Sequence, residues 1–136
     1  MSILELAGCI IQRRPSQVLL LHRNTPRRVQ WEIPGGKLEP AESAADAALR
    51  EIKEELGVDV VIVERLGGRS FREDGLTMAY TWFRARIASG TPSVREPQTH
   101  DEFRYFDITE LGGLRGDLSS NTVNFLSEVE AGRISL

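Results

Sequence analysis

Carboxylates at helical spacing are the chemically loaded part of this chain. The run Arg50-Glu51-Ile52-Lys53-Glu54-Glu55-Leu56-Gly57 follows Trp31-Glu32-Ile33-Pro34-Gly35-Gly36-Lys37-Leu38-Glu39 and a further Glu42. Like charges three or four residues apart on a helix cost roughly 0.2–0.5 kcal/mol per pair, so a helix that keeps them usually has something positive to hold. At about 100° per residue, Ala45, Ala48, Leu49, Ile52 and Leu56 form a core-facing stripe, while Glu51, Glu54 and Glu55 share the far side. Three converging carboxylates supply hard oxygen ligands, which suit magnesium or manganese rather than zinc. Magnesium keeps several waters and shares its shell with substrate phosphates, so the chemistry this predicts is hydrolysis of a phosphoanhydride. The competing reading is a solvated charged face. Such faces interleave Lys or Arg at matching offsets, whereas Lys53 falls on the other flank of the apolar stripe.

The elements that must position these groups follow from hydrophobic pattern and turn chemistry. Ile3 to Gln12 reads as a buried strand, Arg13 to Ser16 as a turn, and Gln17 to Arg23 as a second strand. A basic, Pro-containing loop from Asn24 to Val29 leads to the short extended piece Trp31-Glu32-Ile33. A helix is expected from Glu42 to Leu56, stopped by Gly57. Asp59 to Phe71 and Leu76 to Ala88 are β-rich and flank the hairpin turn Arg72-Glu73-Asp74-Gly75, with a bulge expected at Gly67-Gly68. After a loop from Ser89 to Thr99 come a strand over Phe103 to Phe106, a helical turn over Ile108 to Leu111, and an amphipathic helix from Asn121 to Ala131. The order β-β-α-β-β-β-α predicts an α/β fold, a mixed sheet with helices packed on its faces.

Composition narrows the partners. At 136 residues the chain fits one domain, 1–136. Its 20 acidic against 17 basic residues leave no broad basic face for nucleic acid. The single Cys9 excludes an intrachain disulfide and a Cys-based zinc site, and its apolar neighbours make it a buried small hydrophobe. No targeting segment or membrane-length apolar run is apparent, so a cytoplasmic chain without membrane contact is expected, as monomer or homodimer.

Spacing adds specificity. Counted from Gly36, the chain reads Gly, five residues, Glu42, seven residues, Arg50-Glu51-Ile52-x-Glu54-Glu55-x-Gly57-Val58. This resembles the signature of the Nudix hydrolases at every specified position, and the flanking Trp-Glu-Ile-Pro-Gly-Gly-Lys is similar to the MutT-like branch. The resemblance implies an α/β/α sandwich and magnesium-dependent cleavage of a nucleoside diphosphate-linked small molecule, with manganese a substitute. Its metal ligands would be Glu51, Glu54, Glu55 and the Gly35 carbonyl. Arg50 would orient a glutamate, Glu42 would make either an outer-shell contact or a bond back to the loop, and Gly57 would stop the helix. The substrate it favours is a purine nucleoside triphosphate, oxidised or not, cleaved to monophosphate and pyrophosphate. The alternatives are ADP-ribose, a dinucleoside polyphosphate, or a sensing module without turnover. Where ADP-ribose hydrolases carry a proline past the signature this chain has Glu73-Asp74, and where diadenosine polyphosphate hydrolases carry a tyrosine it has Gly75-Leu76.

Hydrolysis also needs a group that takes a proton from water. Glu96, in Arg95-Glu96-Pro97-Gln98, is similar to a glutamate–proline element of nucleotide-hydrolysing relatives and is the first choice. Glu102 and Asp101 are rivals, as are the ligand glutamates themselves, Glu54 included. His100 is either a substrate contact or a surface or packing residue. Arg23 and Lys37 match basic positions of the MutT-like pattern and would bind phosphate, whereas Arg27 and Arg28 read as mobile surface charges. Asn121 either reads a purine edge, as an asparagine does before the last helix of MutT-like enzymes, or caps that helix. Phe71, Tyr80 and Phe83 are aromatics that would stack on a base or fill the core.

Overall fold

The computed structural model describes residues 2–136. The seven strands are β1 (Ile3–Arg14), β2 (Gln17–Asn24), β3 (Val29–Glu32), β4 (Gly35–Lys37), β5 (Asp59–Glu73), β6 (Leu76–Ser89) and β7 (His100–Asp107). They form one mixed sheet in the order β3-β2-β1-β6-β5, with β4 added to β1 and β7 to β2. Among the described residues β1 and β6 are the strands that pair in parallel, from Ile3 opposite Thr77 to Ile11 opposite Ala85. Helices α1 (Ala44–Leu56) and α2 (Ser120–Glu130) cover opposite faces, and a 3-10 segment, Ile108–Asp117, precedes α2. This is the expected α/β/α sandwich.

Strand alternation sorts the core into two layers. Cys9, Ile11, Leu19, Leu21 and Phe83 pack under α1, while Ile10, Val18, Leu20, Trp82 and Phe106 pack under α2. Cys9 is fully buried, which drives its thiol up to about 12, as suits an inert core residue. Among the described residues no helix is long and apolar enough to cross a membrane.

α1 starts and stops where its sequence tells it to. Ser43 caps the first turn, its hydroxyl accepting from the Asp46 N–H at 3.1 Å. Gly57 ends it at φ 72°, donating to the Lys53 carbonyl. The helix begins two residues later than expected. Glu42 lies before the cap, where its carboxylate accepts from the Glu39 N–H instead. The buried stripe is also rotated from the expected one, being Ala47, Ala48, Ile52, Glu55 and Leu56, with Leu49 exposed. Burying Ile52 and Leu56 contributes roughly 1.5–3 kcal/mol each, enough to carry a glutamate inward beside them.

The β5–β6 hairpin closes on Asp74 and Gly75, both at positive φ, the geometry that matches strand twist in a two-residue turn. The bulge falls between Arg65 and Gly67, next to its expected place. The turn expected at Ile108–Leu111 extends to Asp117, and α2 is capped by Ser119 rather than Asn121. Strand β4 has no counterpart in the sequence reading. A Gly-Gly-Lys run has no β signal of its own, and it pairs because Gly8 and Gly35 allow two backbones to meet.

Candidate active site

The site is built where β4 crosses the C-terminal half of α1. A side chain at Gly36 would collide with the Glu51 carboxyl group, 2.6 Å from its Cδ, and one at Gly35 would strike the Ala7 carbonyl and the Tyr80 hydroxyl. The glycine pair therefore lets backbone lie directly on the helix's acidic face. The Gly35 N–H donates to Glu55 Oε1 at 2.8 Å. Arg50 fastens the same segment. Its Nε and Nη2 each donate to Glu42 at 2.8 Å, Nη2 donates to the Lys37 carbonyl at 3.0 Å, and Nη1 donates to Glu51 at 3.0 Å and Glu54 at 3.3 Å. These bonds hold the Glu42 carboxyl down to about 2. Gly57 acts as the helix stop that was expected.

A second wall comes from the loop between β6 and β7. The Ser93 and Arg95 N–H groups donate to the Leu56 and Glu55 carbonyls, and the Arg95 guanidinium covers Gly57. That docking brings Glu96 to α1. One ligand atom from each of Glu55, Glu96 and His100 lies within 4.8 Å of the others. His100, 1% exposed, meets Glu32 Oε1 at 2.9 Å through Nε2, and its Nδ1 has no hydrogen-bond partner among the described residues. Arg23 donates through Nε to both Glu32 oxygens.

Electrostatics distinguish the carboxylates. Glu55 is pushed well above the usual carboxyl range, first by burial, then by Glu51, Glu32 and Glu96, against which the Gly35 N–H is one opposing bond. Glu51 is raised too, by burial and by Glu54 and Glu96, with Arg50 opposing. Glu32 is also largely enclosed, yet its hydrogen bonds from His100 and Arg23 outweigh burial and lower it. Repelling carboxylates of raised proton affinity, all offering oxygen, are a donor set that fits a hard divalent cation.

A cleft of about 360 Å³ is lined by Glu32 and the Gly35-Gly36 backbone on one side and by Ser119 and Asn121 at the start of α2. Arg23, Lys37 and Asn121 all line it. Asn121 is not the helix cap: Ser119 has that role, its hydroxyl accepting from the Thr122 N–H at 3.2 Å. Asn121 instead accepts through Oδ1 from Trp82 Nε1 at 3.0 Å. Phe71 and Tyr80 line the cleft, whereas Phe83 packs under α1 on the opposite sheet face.

Several sequence expectations change here. Glu102 stands opposite His22 and bonds to Arg104, on the α2 side of the sheet, so strand alternation carries it away from Glu55. Asp101 goes with it, hydrogen-bonded to His22 at 2.7 Å and Asn24 at 2.8 Å. Arg27 and Arg28 are not free surface charges. Arg27 pairs with Asp74, and Arg28 with Asp74 at 2.5 Å and with Glu73, joining the β2–β3 loop to the hairpin tip across the cleft. Glu54 is the most exposed of the three helix glutamates and is ion-paired with Arg50. Sequence reasoning missed Glu32 and Trp82. Glu32 carried a signal, since period-two alternation beside Trp31 puts it on the face of Arg23; nothing in the sequence pairs Trp82 with Asn121.

Comparison with known proteins gives the same picture. A family model described as NUDIX domain matches residues 5–129. The chain is 36% identical over 113 residues to the uncharacterized Nudix hydrolase YvcI of Bacillus subtilis, covering 81% of this chain and 70% of that protein. It is 38% identical over 66 residues to the CTP pyrophosphohydrolase of Escherichia coli (47% of this chain, 48% of that protein). It is also 38% identical over 61 residues to a putative 8-oxo-dGTP diphosphatase of B. subtilis (45% and 40%). The chain thus spans about half or less of these last two relatives. Among solved structures, the MutT NUDIX hydrolase from Burkholderia pseudomallei superimposes with a TM-score of 0.80 at 27% identity, covering 95% of this chain and 99% of that one. With the family model spanning nearly the whole chain and the fold matching throughout, this protein belongs to the Nudix hydrolase family, in its MutT-like part.

Proposed function

We propose that the protein is a magnesium-dependent pyrophosphohydrolase that converts a purine nucleoside triphosphate, oxidised or not, to monophosphate and pyrophosphate. The observation that carries this reading is the lining of the cleft. One cleft is lined both by the Gly35-Gly36 backbone, which lies on the acidic face of α1, and by Asn121 at the start of α2, so phosphates and a base would be held in the same cleft. Glu51, Glu54, Glu55 and the Gly35 carbonyl would hold the cation, with manganese able to replace magnesium. When bound, that ion neutralises phosphate charge and makes water a better nucleophile.

The chain's own groups do the rest. Arg23 uses Nε and Nη2 on Glu32, which leaves Nη1 hydrogens for phosphate oxygens beside Lys37. Arg50 keeps Glu51 pointed toward Gly36 by satisfying it from one side. Glu96, held against Glu55 by the docked loop, is the carboxylate that takes the proton from the attacking water. Glu102 would have no part in this, because its strand faces it the other way.

The test is nucleoside monophosphate formation from a panel of nucleoside triphosphates, ADP-ribose and a dinucleoside polyphosphate, compared by kcat/KM with magnesium, with manganese and with chelator, the triphosphates also releasing pyrophosphate. Triphosphates should lead the panel and chelator should stop turnover. Turnover that survives chelation, or a panel led by ADP-ribose, defeats the reading. If Glu54→Gln leaves magnesium-dependent turnover intact, Glu54 is not a ligand.

A further inference from the structure

α2 begins in the wall of the cleft, and its first turn sets Ser119 and Asn121 against it. Asn121 is 8% exposed. An amide side chain is two different groups, an oxygen that accepts and a nitrogen that donates, and which one faces a ligand decides what it recognises. Trp82, wholly buried on β6, has one polar atom, an indole N–H that can only donate. That N–H meets Asn121 Oδ1 at 3.0 Å. Phe125, one turn further along α2, lies edge-on to the indole with ring centroids 5.5 Å apart, so the donor is held in place from the same helix. Turning the amide over would set NH2 against N–H and strand a buried donor, making that rotamer rarer by roughly tenfold or more. Asn121 Nδ2 has no protein acceptor among the described residues and is not sealed from solvent. It is therefore the part of the amide left for the cleft.

We propose that Trp82 fixes Asn121 as a one-way donor, so that the cleft selects nucleobases presenting a carbonyl oxygen over those presenting an exocyclic amine at the same place. This rests on the reading of the cleft as a nucleoside triphosphate site with Asn121 at the base. Trp82 is a positioning residue, acting through the amide without touching substrate. A keto-edged purine, oxidised elsewhere on the ring or not, satisfies Nδ2. An amino-edged one sets donor against donor.

Inosine and adenosine triphosphates share a ring system and differ at this edge, so their kcat/KM ratio reads the device directly. The unmodified protein should favour inosine triphosphate by roughly tenfold, expressed in KM rather than kcat. Asn121→Asp still accepts from Trp82 but offers the cleft an oxygen, and should invert the ratio. Trp82→Phe keeps a ring beside Phe125 and removes the N–H. The freed amide can then serve either edge, and the ratio should fall toward one. Equal use of both nucleotides by the unmodified protein overturns the proposal whether or not Trp82→Phe folds. If substitutions at 121 move the ratio and a folded Trp82→Phe does not, the tryptophan has no such role, while base reading by Asn121 stands. If neither Asn121→Asp nor Asn121→Ala alters the ratio or KM, Asn121 does not read the base. Failure to cleave any triphosphate removes the functional reading, and this proposal with it.

Discussion

Two clusters of nearly the same residue types flank the β2–β7 pair, one on each face. Glu55, Glu96 and His100 meet under α1, and His22, Asp101 and Glu102 meet on the α2 side. Composition does not separate them, but their surroundings do. On the α2 side Asp101 is exposed, bonded to Asn24 and His22, and those bonds pull its carboxyl below the usual range. On the α1 side Glu55 is enclosed, holds a single backbone N–H, and is pushed upward by burial and by its acidic neighbours. One cluster is already satisfied by its own chain and the other is not. A metal held at Glu55, the residue shared with the proposed ligand set, would relieve repulsion instead of displacing good hydrogen bonds.

The sharpest way to break that contrast is to neutralise its centre. Glu55→Gln should reduce kcat/KM by on the order of 10²–10⁴-fold, the range for losing a positioned charged group, measured by pyrophosphate release. Glu96→Gln should fall within the same range, the loss appearing in kcat with KM little changed. On the opposite face His22→Ala and Glu102→Gln should each alter kcat/KM by less than about threefold. A large loss from either would make the α2-side cluster functional and erase the distinction.

The contrast also has a thermal form. Because folding raises the Glu55 carboxyl above its usual value of 4.5, its contribution is fully present below that value and is lost as pH rises through the raised one. The melting temperature of metal-free protein should therefore decline as pH climbs from about 4.5 toward neutrality. Magnesium should lessen the decline, and Glu55→Gln should flatten it relative to the unmodified chain. A melting curve whose pH dependence is the same with and without the Glu55 carboxyl would show that burial costs this group nothing.

Much of this was legible in the residues, and the rest failed for identifiable reasons. The α1 signature is local, its caps, charges and glycines following one another along the chain, so its chemistry could be read in order. Glu96 was legible only through its proline neighbour, because a loop's docking onto Leu56 and Glu55 is a tertiary fact. Glu102 looked equivalent to it until a bulge between His22 and Arg23 decided which face each residue of β7 takes. Asn121 looked like a cap because Ser119 and Asn121 are both good capping residues two positions apart, and only the tryptophan from β6 separates their roles. Arg28 looked mobile because its partners, Glu73 and Asp74, lie on a hairpin far along the chain.

The parallel pairing of β1 with β6 has a consequence for how the protein comes into being. Ile3 to Ile11 cannot find Thr77 to Ala85 until most of the chain is available, and such long-range pairing costs loop entropy before it returns any contact energy. On a ribosome the acidic helix thus emerges well before the floor on which Glu55 is buried. During that interval its glutamates remain hydrated and mutually repelling, with no enclosed site to offer a cation. On the proposed ligand assignment, assembly of the central ladder and creation of metal affinity would be one event, and a divalent ion would act on the final folding step rather than on the nascent helix.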